Sequence, residues 1–195
     1  MKGVALFLAD GFEDMEALAT LDVLRRGGVE VSTVSIAAGR SVTSSHGVTV
    51  VADRLFRDWL ADADRDGTDR SDLMIFPGGM PGTRHLAEHE ALMTLMTLMK
   101  NHYDEGGAVA AICAAPGLVL SQLNDVRGLH FTCFDGFEEA MLRRGAIYAP
   151  EGVVKDGRMI TGRGAGWAVP FGLALVSFLK GEVTAVSVRA GLMLG

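Results

Sequence analysis

The chain has 195 residues, 49% hydrophobic and 22% charged, with a formal net charge of −6. That balance excludes an intrinsically disordered chain, and an acidic surplus without a basic stripe argues against a nucleic-acid partner. The longest apolar stretches, such as 173–179, are far shorter than the roughly 20 residues of a membrane span. Lys2 and the early acids after it do not read as a signal peptide, so a cytoplasmic protein with one domain over 1–195 is expected.

The apolar run VALFLA at 4–9 predicts a strand buried on both faces. GFEDMEALATLDVLRRGG follows, with Met15, Leu18, Leu21 and Leu24 at helical spacing and Gly27-Gly28 as a stop. VEVSTVS at 29–35 alternates as a second strand, and VTVVA near residue 50 predicts another. The charged stretch 61–72 reads as a solvated loop. SDLMIFPGG predicts a buried strand ending at Pro77-Gly78-Gly79, ahead of one long helix from about 83 to 102.

GAVAAI is the next buried strand, and APGLVLSQL the helix it feeds. LHFTCF predicts a strand, and FEEAMLRRG a helix closed by Gly145. VVKDGRMIT predicts a β-hairpin turning at Lys155-Asp156-Gly157. AVPFGLALVSFLKG predicts a helix ended by Gly181, with one more helix in the tail. This alternation implies an α/β fold with a mainly parallel sheet covered on both faces. Such sheets carry their sites at the carboxyl ends of the strands, where ADGFED, PGGMPG and CAAPG all fall.

Two cysteines, Cys113 and Cys133, occur without a CxxC or a metal-type Cys/His cluster, and both read as thiols. His85 and His89 have the spacing of a helical metal pair without the acid placed after the first histidine, and read as a solvated face. GRGAG lacks the Lys-Ser/Thr of a phosphate loop. No metal or cofactor is expected.

Ala111, Ile112, Cys113, Ala114 and Ala115 have the small-residue pattern of a nucleophile elbow, a tight turn that exposes its reactive side chain. A helix N-terminus after Cys113 lowers its pKa in this reading. The bland alternative is an inert buried thiol. Glu16 shares a helix stripe with Thr20 and Val23 and so faces the crevice. Beside a thiolate its carboxyl is pushed toward the protonated form. Glu13 and Asp14 read as solvated acids of the helix start.

LADGFEDMEAL, DVLRRGGVEV, PGGMPG, AAICAAP and RGAG together resemble the ThiJ/PfpI superfamily, most closely its parkinsonism-associated deglycase branch. The resemblance implies a flavodoxin-like three-layer α/β/α sandwich and a homodimer. It makes Cys113 the reactive cysteine and Glu16 its protonated partner. Gly78, Gly79 and Ala114 fall at oxyanion-type backbone donors, and Arg26 and Arg163 at structural arginines. Cys133 stands where relatives carry a histidine, with His130 three residues upstream; His46 is a further accessory candidate. The implied activity is a cofactor-independent hydratase-isomerase acting on methylglyoxal or glyoxal, or a deglycase of protein or nucleotide adducts. The alternative is an oxidative-stress sensor or chaperone-like protein acting through oxidation of Cys113.

Overall fold

The computed structural model describes residues 3–65, 72–88 and 90–194. Residues 66–71 of the charged stretch and His89 lie outside the described residues, and with His89 the His85/His89 pair, while 61–65, expected as loop, belong to a helix ending at Arg65. The chain runs from β1 (Val4–Leu8) through α1 (Asp14–Arg26) to β2 (Val31–Ser35). A hairpin of β3 (Ser41–Thr43) and β4 (Thr49–Val51) follows, then β5 (Arg54–Leu55), α2 (Phe56–Arg65) and β6 (Leu73–Phe76). Next come α3 (Gly82–Glu88), α4 (Glu90–Asp104), β7 (Ala108–Ile112) and the one-turn α5 (Ala115–Leu118). β8 (His130–Phe131), α6 (Glu139–Arg143) and β9 (Ile147–Tyr148) lead to β10 (Val153–Asp156) and β11 (Met159–Gly162). The chain closes with α7 (Ala168–Lys180) and α8 (Glu182–Gly191).

Seven strands form one sheet in the order β10-β11-β7-β6-β1-β2-β5, parallel throughout except between β10 and β11. β1 sits inside the sheet and every one of its residues is buried, which is why its sequence is apolar without alternation. The chain leaves β1 for β2 on one side and returns through β6 on the other. The strand order therefore reverses between β1 and β6, where an open α/β sheet leaves a crevice at its carboxyl edge.

Helices cover both faces, giving a flavodoxin-like three-layer α/β/α sandwich. Under α1 and α7 lie Leu24, Phe171, Leu175 and Val176; under α3 and α4 lie Leu86, Leu95, Met96 and Met99. α1 and α7 approach closely because Gly172 faces Val23: an added Cβ would stand 2.8 Å from the valine Cβ. No helix among the described residues is long and apolar enough to cross a membrane.

Several elements differ from the sequence expectation. VTVVA pairs only with β3, outside the main sheet, and the two-residue β5 supplies the edge instead. The stretch expected as one long helix is described as α3 and α4, with residue 89 between them outside the described residues. LHFTCF keeps only His130–Phe131 as strand, because the next ladder positions go to side chains. Thr132 N–H donates to Thr161 Oγ1 (2.9 Å), and the Thr132 hydroxyl donates to Glu151 O. The helix after Cys113 lasts one turn before a 3₁₀ turn (Leu120–Gln122); the Gln122 amide then satisfies the carbonyls of Leu118 and Ala87. Asp156 pairs with Met159, so the hairpin turns at Gly157-Arg158, with Gly157 at φ 56°.

Candidate active site

Cys113 follows β7 directly and takes φ 66°, a left-handed conformation rare for a residue with a side chain. Such strain costs about 1–3 kcal/mol and persists only where the surroundings enforce it. Here Cys113 N–H donates to Gly162 O (2.9 Å), and Cys113 O accepts from Phe134 N–H (2.8 Å). Both hydrogen-bonding groups of the peptide backbone are thus held from outside the turn. Ala111, Ala114 and Ala115 are buried against it, leaving no room for larger neighbours.

Glu16 lies in the first turn of α1, only 1% exposed. Its Oε2 accepts from Gly78 N–H at 2.9 Å, and its carboxyl is hydrogen-bonded to the Cys113 thiol. Gly78 is wedged between them: a Cβ there would stand 2.9 Å from Cys113 Sγ and closer still to Glu16 Oε2. Gly82 N–H reaches Gly11 O (3.2 Å) and Glu13 N–H reaches Gly78 O (2.9 Å), so the loops after β1, β6 and β7 meet at one end of the sheet.

Burial pushes the Glu16 carboxyl up to about 7; the charge of Glu13 adds to this, while the hydrogen bonds from Cys113 and Gly78 oppose it. The Cys113 thiol is pushed up to about 12, first by burial, then by the charge of Glu16 and by their hydrogen bond. The N–H groups of Ala114 and Gly79 face the sulfur and act in the other direction. This corrects the expectation of a lowered thiol pKa, which relied on a long helix at Cys113. A single turn contributes little dipole, and the site is buried. Two of the three raising influences belong to ionised Glu16. Once that carboxyl takes the proton, its charge is gone and its O–H donates to sulfur.

Of the three expected oxyanion-type donors, Gly78 N–H donates to Glu16 Oε2, while the N–H groups of Gly79 and Ala114 face the sulfur. Cys133 is fully buried in the core under the opposite face, in the same cluster as Ala115, Val119 and Phe131. His130 is exposed and pairs with Asp156 (3.1 Å). Arg163 bonds Asp135 at 2.8 Å and lies near Cys133, whereas Arg26 pairs with Asp22 (2.7 Å) at the far end of α1. His46 reaches back from the β3–β4 hairpin to Asp14 (2.7 Å), which holds its imidazole above the usual histidine pKa.

Among the described residues, Glu13, Asp14 and His46 form the one group able to offer three ligand atoms to a metal, all within 4.8 Å of one another. These atoms are already engaged: Asp14 with His46 and Ser44, and Glu13 with the N–H of Glu16. Glu13 is the residue sequence reasoning missed. It caps α1 at 2.7 Å, and its signal was an acid three residues before Glu16 at a helix start.

The DJ-1/PfpI family model matches residues 2–178. Protein DJ-1 homolog A of Arabidopsis thaliana is 34% identical over 193 residues, covering 99% of this chain and 47% of that protein. The chain thus spans about half the length of that relative. The glutathione-independent glyoxalase DJR-1.2 of Caenorhabditis elegans is 33% identical over 172 residues, 87% of this chain and 83% of that protein. The crystal structure of Drosophila melanogaster DJ-1beta is similar with a TM-score of 0.84 at 32% identity, covering 100% of both chains. A likeness that runs through all the main strands of the sheet settles descent: the chain belongs to the DJ-1/PfpI family.

Proposed function

We propose that the chain is a cofactor-independent glyoxalase-type enzyme acting on a small α-oxoaldehyde such as methylglyoxal. The observation that carries this reading is the Glu16 carboxyl hydrogen-bonded to a cysteine in a strained turn, with its proton held near neutral pH. The glyoxalase named among the relatives supports the same class.

Attack begins with the proton on Glu16 and the negative charge on sulfur. The S–C bond forms at the aldehyde carbon, and Glu16 protonates the oxygen that receives the carbonyl pair, giving a hemithioacetal. Glu16, now a carboxylate, removes the hydrogen from that carbon, and the electron pair moves into the C–C bond. A proton shifts between the two oxygens and Glu16 returns its own to the second carbon, leaving an α-hydroxy thioester. The first carbon is oxidised and the second reduced within one molecule, so no external redox partner enters. Water then cleaves the C–S bond, releasing lactate and the thiol. An adduct of the aldehyde on a protein or nucleotide amine is the alternative substrate, with the amine as leaving group.

The test is lactate formation from methylglyoxal by wild type, Cys113→Ser and Glu16→Ala. Turnover in wild type alone supports the scheme; a wild type no faster than Cys113→Ser overturns it. Peroxide oxidation of Cys113 is a second reading, favoured by the partly exposed sulfur facing two backbone N–H groups. Intact mass after graded peroxide measures it. We also propose a homodimer, because Met15 on α1 and Val183 and Val186 on α8 stay more than half exposed. Light scattering giving a monomer mass would refute that.

A further inference from the structure

We propose that Glu13 is the positioning residue of the Cys113 site: its side chain closes a ring of hydrogen bonds that holds the Glu16 carboxyl and the Gly78–Gly79 backbone against the sulfur. This rests on the reading of Cys113 and Glu16 as a reacting pair, but not on which aldehyde they take.

The ring has three members. Glu13 N–H donates to Gly78 O at 2.9 Å, Gly78 N–H donates to Glu16 Oε2 at 2.9 Å, and Glu16 N–H donates to Glu13 Oε2 at 2.7 Å. It ties the loop after β1 to the loop after β6 using both hydrogen-bonding groups of Gly78. The next residue, Gly79, is pressed onto the same loop: a Cβ on it would stand 2.6 Å from Gly11 O and from Phe12 C. Gly79 turns its N–H to the sulfur, so the ring fixes a donor as well as the carboxyl.

The choice of residue adds a second effect. The Glu16 N–H is one of the first N–H groups of α1 and has no intrahelical partner. Serine or asparagine at the cap would satisfy it without charge. Glu13 instead places a carboxylate beside Glu16 and favours its protonated form. The titratable neighbours are Cys113 at the end of β7, Glu13 itself, and beyond it His46 of the hairpin, which feels the charge of Glu13 and is held by Asp14.

Two measurements on the full chain test this with Glu13→Ala and Glu13→Gln. The first is amide hydrogen exchange at Glu16 and Gly78. The second is alkylation of Cys113 by iodoacetamide against pH, read by peptide mass. In Glu13→Ala both amides should exchange roughly five- to tenfold faster, the size of a lost cap, and alkylation should fall by a similar factor. In Glu13→Gln the amide oxygen still accepts, so exchange and the alkylation plateau should be restored. Its pH midpoint for the Glu16-linked step should move down, because the repelling charge is gone. If only the Glu16 amide responds, with Gly78 and the alkylation profile unchanged, Glu13 is a helix cap and the proposal fails. If wild-type Cys113 is not alkylated at any pH, the enzymatic reading falls, while amide exchange still judges the ring.

Discussion

Cys113 and Cys133 are both pushed up to about 12, in each case chiefly by burial. They differ in what supplies the rest. Around Cys133 the charges of Glu138 and Asp135 raise the thiol without hydrogen-bonding to it, and the side chain is sealed in the core. Around Cys113 the raising charge belongs to Glu16, which hydrogen-bonds to the thiol and is itself pushed up to about 7. The thiol proton therefore has an acceptor within reach. A raised thiol is isolated in the first setting and has a proton-accepting partner beside it in the second. The partner of the thiol distinguishes the two cysteines better than their pKa does.

The sharpest break between them is substitution. Cys113→Ser should lower lactate formation from methylglyoxal by at least about 10³-fold, as loss of a nucleophile does. Cys133→Ser should leave it within about twofold, since a buried neighbour outside the reacting set contributes through packing alone. Equal losses in the two variants would abolish the distinction between the two cysteines.

A second contrast uses glycines. Gly78→Ala puts a methyl between Sγ and Oε2 and should cost about 10²-fold in turnover, the scale of an ångström-level displacement. Gly166, in the loop between β11 and α7, has no atom within 4 Å of an added Cβ, and Gly166→Ala should behave as wild type. Turnover measured beside urea unfolding separates loss of geometry from loss of fold.

The pH dependence of stability sharpens the comparison further. The Glu16 carboxyl is raised from 4.5 to about 7 in the folded chain. The stability it contributes is therefore present below about 4.5 and lost as pH rises through about 7. Burial of this group makes the loss up to about 3 kcal/mol. Glu16→Gln should flatten that slope, measured as the urea midpoint of each protein at about pH 5 and pH 8. An unchanged slope would mean that Glu16 is not the group taking up the proton.

The smallest effect is expected at His46. Its pKa is raised by Asp14, so its contribution is present below about 6.5 and fades as pH rises through the folded value. The imidazole is well exposed and the pair is screened by solvent. His46→Ala should lower Tm only slightly in mild acid and not at all in base. A large drop would mean that the β3–β4 hairpin depends on this one pair.

The fold and the strained turn at Cys113 were legible in short stretches. Residues 4–9 read as a central strand because a strand buried on both faces has no polar side to alternate. Cys113 read as an elbow because a turn that tight admits only small neighbours, and Ala111, Ala114 and Ala115 are all within two residues of it. Glu16 was legible from its position on the inward stripe of α1. These requirements act within a few residues, and composition at that range records them.

What escaped depends on groups brought together from afar. Gly78 and Glu16 are 62 residues apart in sequence, so nothing local indicated that the Gly78 N–H would be committed to a carboxylate. Nor did APGLVLSQL reveal that its helix stops after one turn, because the Gln122 amide that satisfies its last carbonyl also reaches Ala87 on another element. Glu13 read as a solvated acid and became a member of the site only once the loop after β6 was laid against it. By itself the sequence determined the parallel sheet, the turn at Cys113 and the inward face that carries Glu16. Tertiary structure alone decided where the shared proton rests, since protonation follows burial and the approach of charges, and both are set by how distant loops pack.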